Sequence, residues 1–304
     1  IRPYAPNGIA YPMVVFNDGS GSRLYSLQYF ADLSGSPEEN HVRRWNGTSW
    51  SAPLGIAASL IVTAGSPPPQ LLATTTTSYP ATAVVSQWVA GVFSQLTPTG
   101  DTTGSITSVA LQEEGTGFSV FFTGLQKAGG VVLNGSIGRW NGSSVLAANQ
   151  GLQGQGTKVV QVLDGTSRAI YAIVGATGEI ARWNGTSWTA VGSPIGAEIR
   201  TVALLDMGSG PRLYAAGAGV FRWNGQFWAS LSGPSGVNAI EVFNSALYVG
   251  GAFNTVAGVT YRNLAKWNGT GWSVVGTANA IGVNGPVHAL RTLFGKLHIA
   301  GDFT

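Results

Sequence analysis

The chain has 304 residues, a net charge of +3 at neutral pH, 44 glycines and no cysteine. Charged residues make up only 10% of it, against about 25% in ordinary soluble domains. This composition favours short strands and tight turns over long surface helices and excludes disulfides and thiolate metal sites. The chain has no run of basic residues, which would indicate nucleic-acid binding. No apolar stretch is long enough to span a membrane.

The first predicted elements are a hairpin of residues 13–16 and 24–27 and a second hairpin around RWNGTSW at residues 44–50. Asn-Gly is the strongest short hairpin signal, because both residues tolerate the positive φ of a type I′ turn. The first unit therefore predicts four short strands, which we call A to D. The Trp-Asn-Gly motif lies in the turn between C and D.

The same unit recurs along the chain. A degenerate motif, QWVAGVF at residues 87–93, follows the least regular stretch, residues 55–86, and clear copies lie at 139–145, 182–188, 222–228 and 266–272. The first tryptophans of the six copies are 40 to 52 residues apart, and all ten tryptophans fall within the copies. Predicted A–B hairpins precede them, as at residues 159–162 with 170–173 and 202–205 with 213–216.

Four antiparallel strands in about 40 to 45 residues make the blade of a β-propeller. A single four-stranded sheet cannot bury both faces, whereas blades stacked around an axis can, and strands such as residues 246–249 are apolar on both sides. The alternative is a linear β-solenoid, whose repeats usually run about 20 to 30 residues. We therefore predict an all-β fold with one propeller domain over residues 1–304.

Seven blades are predicted, the last of them incomplete. We place the units approximately at residues 9–54, 55–98, 105–148, 157–192, 199–232 and 237–276, with a partial unit at 285–304 that supplies only strands A and B. Residues 1–6 are a candidate for N-terminal closure of the last blade. The alternatives are a six-bladed ring and a part of a longer repeat array. Because the first residue is Ile rather than Met, we expect a processed product or a piece of a longer chain.

Two stretches carry a resemblance to a known family. They are LAKWNGTGWSVVG at residues 264–276, followed by VHAL at 287–290, and LYVGGAF at 247–253, followed by AGV at 257–259. They resemble the Trp-Asn-Gly propeller repeats of large bacterial cell-surface and secreted proteins, and are similar to repeats of fungal cortical cell-polarity markers. The resemblance covers essentially the whole chain as a repeat. It implies an extracellular or cell-surface propeller and brings no catalytic residue.

Few residues are candidates for chemistry. His298 occupies the strand B position that other units give to tyrosine, and is interpreted as a packing residue, while His288 lies in a strand A. The neighbouring carboxylates at residues 38–39 and 113–114 lie in turns or point to opposite sides of a strand, and no histidine pair has ligand spacing. We therefore predict no enzyme activity, no catalytic residue, no metal and no cofactor.

The tryptophans allow two interpretations. Their faces could stack on sugar rings, or they fill space between blades, and their identical places in the repeat favour packing. The basic residue before the first tryptophan also recurs, which favours a structural role that includes a cation–π contact over binding of an anionic ligand. These basic residues are Arg44, Arg139, Arg182, Arg222 and Lys266.

The sequence thus predicts a non-enzymatic, extracellular or cell-surface propeller that acts as a structural, adhesion or protein-interaction module. The alternative is a multivalent carbohydrate-binding propeller, and the fold alone does not decide between them. The partner is a protein or a glycan, with no nucleic acid and no membrane span. Ligands are expected on the rim of the longer B–C loops, at residues 30–41, 125–135 and 254–263. The sequences of these loops differ between units, whereas a lectin would have the same ligating residues in every unit.

Overall fold

The computed structural model describes residues 13–30, 39–54, 60–64, 70–78, 81–89, 92–95, 102–114, 117–134, 137–164, 167–206, 210–256, 258–277 and 280–303. Within these ranges the chain is all-β and contains no helix. This confirms the predicted fold class. The short strands agree with a sequence that is rich in glycine and in β-branched and aromatic residues.

The first three blades are formed by β1 to β12. Blade one contains β1 (Met13–Asn17), β2 (Ser22–Phe30) and β3 (Glu39–Trp45). Blade two contains β4 (Leu60–Ala64), β5 (Gln70–Ser78), β6 (Ala81–Val89) and β7 (Val92–Gln95). Blade three contains β8 (Thr103–Glu114), β9 (Gly117–Ala128), β10 (Val131–Val132), β11 (Gly138–Trp140) and β12 (Val145–Ala147).

The next three blades are more regular. Blade four contains β13 (Lys158–Asp164), β14 (Ser167–Val174), β15 (Glu179–Trp183) and β16 (Trp188–Ala190), and blade five contains β17 (Ile199–Asp206), β18 (Pro211–Gly217), β19 (Val220–Trp223) and β20 (Trp228–Ser230). Blade six contains β21 (Val237–Phe243), β22 (Ala246–Gly251), β25 (Leu264–Trp267) and β26 (Trp272–Val274).

Three small hairpins complete the described structure. Two of them belong to the region of blade six: β23 (Thr255–Val256) pairs with β24 (Val259–Thr260), and β27 (Gly276–Thr277) pairs with β28 (Ala280–Ile281). The third consists of β29 (Val287–Leu293) and β30 (Lys296–Gly301), and we call it the closing sheet.

Within each blade the strands are antiparallel and follow chain order. In blade four, Ala172 pairs with Val159 of strand A and with Ala181 of strand C, and Ala181 in turn pairs with Ala190 of strand D. Because successive strands alternate in direction, the A–B and C–D turns share one rim of the molecule, and the B–C loops lie on the other. Strands A contact one another from blade to blade and therefore lie innermost.

The hydrophobic core lies between blades rather than within one. Ile173 of blade four packs with Val202 and Ala215 of blade five, and all three are buried. Comparable clusters join each of the other successive pairs of blades. Since full burial of one such side chain contributes roughly 1.5–3 kcal/mol, each blade is stabilised from both faces.

The closing sheet lies between blade six and blade one. Val287 and Leu290 pack with Leu264 of blade six, while Leu293 packs with Met13 and Leu24 of blade one. The described structure is thus a ring of six blades in which the two-stranded closing sheet fills the remaining gap. The predicted count of seven blades is not confirmed, and the closing sheet contains only strands A and B.

Two blades depart from the predicted four strands. Blade three has five, because β10 pairs with the far end of β9. Blade one has three within the part of the chain that the structure describes, where Trp45 and Trp50 form an isolated bridge. The irregular stretch also contains regular structure, since its threonine run at residues 74–77 lies in β5 and pairs with β6. Its proline run at residues 67–69 falls outside the described residues.

Candidate functional site

The Trp-Asn-Gly turn is a four-residue loop, not the two-residue type I′ turn predicted from the sequence. In blade four Trp183 pairs with Trp188, and of the turn residues only Gly185 has a positive φ, of 108°. The Asn184 Oδ1 instead accepts hydrogen bonds from the N–H groups of Thr186 and Ser187, both at 2.9 Å. The other four clear copies do the same. Asparagine is therefore required as a side-chain acceptor.

In blades four, five and six, the second tryptophan of the motif ties the blade to the one before it. Its indole N–H donates to a backbone carbonyl just after strand D of the preceding blade. The bonds run from Trp188 to Ala148 (2.8 Å), from Trp228 to Val191 (2.8 Å) and from Trp272 to Leu231 (3.0 Å). We call each of these bonds an indole latch. They confirm the packing interpretation for these tryptophans.

The basic residue before the first tryptophan lies opposite an aromatic residue of strand B. In blade three Arg139 pairs across the strands with Phe121, and its guanidinium also lies 5.6 Å from the ring centre of Trp183 in blade four. This confirms the expected cation–π contact at one position. In four other blades the residue opposite is a tyrosine, in the pairs Tyr25–Arg44, Tyr171–Arg182, Tyr214–Arg222 and Tyr248–Lys266.

In blade one, this tyrosine–arginine pair holds a carboxylate. The Tyr25 hydroxyl donates to Asp18 Oδ2 at 2.8 Å, and Arg44 Nη1 donates to the same oxygen. Burial alone would raise the pKa of Asp18, but hydrogen bonds from Ser20, Tyr25 and Arg44 lower it well below its usual range. Burial and the neighbouring Asp18 raise the pKa of Tyr25. Asp18 is therefore ionised, and its side chain is only 7% exposed.

The corresponding pair in blade five opens onto a cleft of about 430 Å³. Arg212, Tyr214, Arg222, Trp223 and Asn224 line it from blade five, and residues 268–270 of the Trp-Asn-Gly turn line it from blade six. The cleft lies on the rim of the A–B and C–D turns. This is opposite to the rim of the B–C loops, where ligands were expected.

The polar groups of the cleft are mainly hydrogen-bond donors. Burial raises the pKa of the Tyr214 hydroxyl, whereas a hydrogen bond from Arg222 and the charge of Arg212 act in the opposite direction. Among the described residues, no carboxylate lines the cleft. Arg212 is exposed and Arg222 half-buried, so a ligand in the cleft meets two guanidinium groups.

A second polar feature links the strands A of blades four, five and six and of the closing sheet, on the inner side of the ring that we call the inner channel. Lys158 Nζ donates to the carbonyl of Arg200 (2.6 Å), Arg200 Nη1 donates to Asn238 Oδ1 (3.0 Å), and Asn238 Nδ2 donates to the carbonyl of Val287 (3.1 Å). Arg200 and Asn238 stand where strand A shifts register by one residue. Such β-bulges change the direction of side chains. Here the side chains of Arg200 and Asn238 each donate a hydrogen bond to the innermost strand of the next sheet.

The described residues that were considered for chemistry lie in separate parts of the fold. His298 lies opposite Arg291 at the repeat position of the tyrosines, and His288 Nε2 lies 2.8 Å from Asp302 Oδ2. Glu113 and Glu114 are successive residues of β8, and Glu38 lies outside the described residues. Across the described ranges, no three histidine or acidic residues are grouped to hold a metal ion. The same residues include no helix long and apolar enough to cross a membrane.

The cleft was missed at the level of sequence, although a signal for it exists. Residues 17–25 read NDGSGSRLY and residues 206–214 read DMGSGPRLY, an alignment without gaps. It matches Tyr25 with Tyr214 and places Met207 where blade one has Asp18. Blade five thus has the tyrosine–arginine pair but no acid at the sequence position of Asp18.

No family model matches the chain, and no curated protein matches it in sequence. Solved structures do match in fold. The structure of the RRP9 WD40 repeats is 11% identical with a TM-score of 0.53, and the match covers 95% of this chain and 85% of that one. The structure of U3-55K is 12% identical with a TM-score of 0.52, covering 95% and 86%. At this identity the likenesses confirm the β-propeller fold alone.

Proposed function

We propose that the chain is a non-enzymatic protein-interaction propeller that holds its partner at the cleft between blades five and six. The observation that carries this proposal is the composition of the cleft. It combines Arg212 and Arg222 with the ring of Trp223, and Phe227 of the adjoining turn is 58% exposed. Arginine and aromatic side chains are the residues enriched at the centres of protein–protein interfaces.

A multivalent carbohydrate-binding propeller is the second candidate. It would need one ligating set repeated in several blades, with aromatic faces open to sugar rings. Trp183 and Trp188 are buried, and the tyrosine–arginine pair of blade one is occupied by Asp18. These observations disfavour one ligating set repeated in every blade, and they favour the protein-binding role.

Parallel screens distinguish the two candidates. A library of random peptides displayed on phage is selected on the immobilised chain, while the labelled chain is applied to a broad glycan array. We expect enriched peptides that bind wild type and lose affinity several-fold in Phe227→Ala. The matched control is Phe294→Ala, because Phe294 is exposed to a similar degree but lies in the turn of the closing sheet. Glycan binding without any enriched peptide would overturn the proposal.

We propose further that the propeller acts outside the cell or on its surface, as an interaction or adhesion module. The resemblance of its Trp-Asn-Gly repeats to those of secreted and surface proteins supports this location. Intact cells of the organism that encodes the chain are treated with protease and then probed with an antibody against the chain. Loss of the signal from intact cells is expected, whereas a signal protected until lysis would contradict the location.

We propose, thirdly, that the closing sheet is the inner half of a seventh blade. Its contacts with blade six on one side and blade one on the other support this. Leu293→Ala would remove a buried side chain at the contact with Met13 and Leu24, at a cost of about 2–5 kcal/mol. We expect faster hydrogen exchange in β1 as well as in β29. Unchanged exchange in β1 would show that the ring does not close through this sheet.

A further inference from the structure

Blade one shows what the tyrosine–arginine pair binds. The Tyr25 hydroxyl and Arg44 Nη1 converge on a single oxygen of Asp18, and that side chain is nearly removed from water. Hydrogen bonds to an ionised group are roughly twice as strong as those between neutral groups. The pair is therefore a carboxylate receptor whose ligand is part of the same chain.

Blade five retains the receptor but not this ligand. Tyr214 and Arg222 are cross-strand neighbours, as Tyr25 and Arg44 are. Met207 occupies the sequence position of Asp18. The nearest acid in the sequence, Asp206, aligns with Asn17, is exposed, and is not among the residues that line the cleft.

The remaining cleft residues add donors to this receptor. Arg212 contributes a second guanidinium, and the side chains of Asn224 and Asn268 reach the cleft from the turns of two blades. Their Oδ1 atoms accept backbone N–H groups of their own turns. Within the described residues, their Nδ2 groups make no hydrogen bond, so they are available as donors.

We propose that the cleft between blades five and six binds an aspartate side chain of a partner peptide, in the place that Asp18 fills in blade one. The inference rests on the proposed protein-binding function and specifies its chemistry. An aspartate is indicated because the internal ligand is itself an aspartate. Phe227 lies three residues after Asn224 in the same turn and is exposed, so it offers an apolar contact for the residue beside the acid.

The test uses the whole chain and a fluorescein-labelled tetra-aspartate peptide, with tetra-asparagine as the uncharged control. Fluorescence anisotropy at low ionic strength is expected to show saturable binding of tetra-aspartate and none of tetra-asparagine. Met207→Asp supplies blade five with an internal acid and should weaken binding about tenfold or more, by occupying the receptor. Arg212→Ala, at an exposed position that does not threaten folding, should weaken it several-fold.

Two further variants keep the result specific. Lys296→Ala removes one exposed positive charge from the closing sheet and should leave the affinity unchanged, which controls for net charge. Asp18→Ala empties the receptor of blade one and should add a second binding site of comparable affinity. Thermal melting of each variant, followed by circular dichroism, establishes that it is folded.

The possible failures are distinguishable. If tetra-aspartate binds equally well to wild type and to Met207→Asp, or no better than tetra-asparagine, the inference is wrong. Binding of polygalacturonate that is lost in Met207→Asp, without binding of tetra-aspartate, would assign the cleft to an acidic sugar instead. If selected peptides bind through Phe227 but show no acidic preference, the protein-binding function stands and only this inference falls.

Discussion

The two tryptophans of one Trp-Asn-Gly hairpin are chemically identical but differ in their surroundings. In blade four both Trp183 and Trp188 are buried, and their rings lie 5.1 Å apart. Trp188 makes the indole latch to Ala148, while the indole N–H of Trp183 has no partner among the described residues. Packing is thus shared between the two residues, and the blade-to-blade hydrogen bond belongs to one of them.

The indole latch predicts unequal costs for two similar substitutions. Trp188→Phe and Trp183→Phe remove about the same volume, and each leaves an aromatic ring in place. Only Trp188→Phe also removes a hydrogen bond and leaves a buried carbonyl without its donor. We expect it to lower the free energy of unfolding by about 1 kcal/mol more than Trp183→Phe, measured by urea denaturation. Equal losses would show that the latch adds nothing to packing.

At the scale of the hairpin, the asparagine side chain adds to a backbone hydrogen bond, which runs from the Asn184 N–H to the Ser187 carbonyl (3.1 Å). Asn184 Oδ1 bonds two successive N–H groups, so the chain reverses with a single left-handed residue, Gly185. In blades one, four, five and six the hairpin begins and ends at a tryptophan, and the two indole rings pack against each other. The turn therefore sets the register that brings the second tryptophan to its latch.

This role predicts that the stability of the chain depends on the acceptor oxygen at residue 184 more than on the charge of the side chain that carries it. Asn184→Ala removes the acceptor for the N–H groups of Thr186 and Ser187, and should lower the free energy of unfolding by about 1 kcal/mol, as loss of a comparable side-chain cap does. Asn184→Asp keeps the oxygen and should retain most of the stability near neutral pH. Thermal unfolding followed by tryptophan fluorescence compares them. A similar loss in both variants would contradict the acceptor role.

The sequence predicts an element well when the residues that determine it are close together in the chain. The hairpins follow from residue type and spacing, because Asn-Gly and the flanking tryptophans act within a few residues of each other. The bulges at Arg200 and Asn238 do not, since one extra residue in a strand leaves no mark in composition. The cleft brings together turns of two blades, and only an alignment of residues 17–25 with 206–214 indicates its chemistry.

At the scale of the whole molecule, the ring is held by contacts that cross from each sheet to the next. The closing sheet shows this most clearly, because Glu241 of blade six accepts hydrogen bonds from the backbone N–H of Thr292 (3.0 Å) and from Arg291 (3.2 Å). The number of blades depends on the angle between such sheets, which no single repeat encodes. For this reason the sequence predicts the four-stranded repeat well and the number of blades poorly.

The inner channel brings together cations from separate sheets. As a result, one of them, Lys158, binds its proton less tightly in the folded chain than in the unfolded chain, which makes stability depend on pH. Burial, together with the charges of Arg291 and Arg200, lowers the pKa of Lys158 to about 8. In an unfolded chain the pKa of lysine is about 10.4. Below pH 8 both states carry the proton, but between these two values the unfolded state binds more protons. The free energy of unfolding should therefore rise with pH across this interval.

Replacing Lys158 isolates this contribution. We expect the free energy of unfolding of wild type, minus that of Lys158→Met, to increase between about pH 8 and about pH 10. The raised pKa values of Tyr214 and Tyr248 act in the opposite direction at the alkaline end, but they are common to both proteins and cancel in the difference. Lys296→Met serves as the control for the loss of one lysine, because this lysine is exposed. A flat difference for Lys158→Met would mean that burial and the charges of Arg291 and Arg200 do not lower the proton affinity of Lys158.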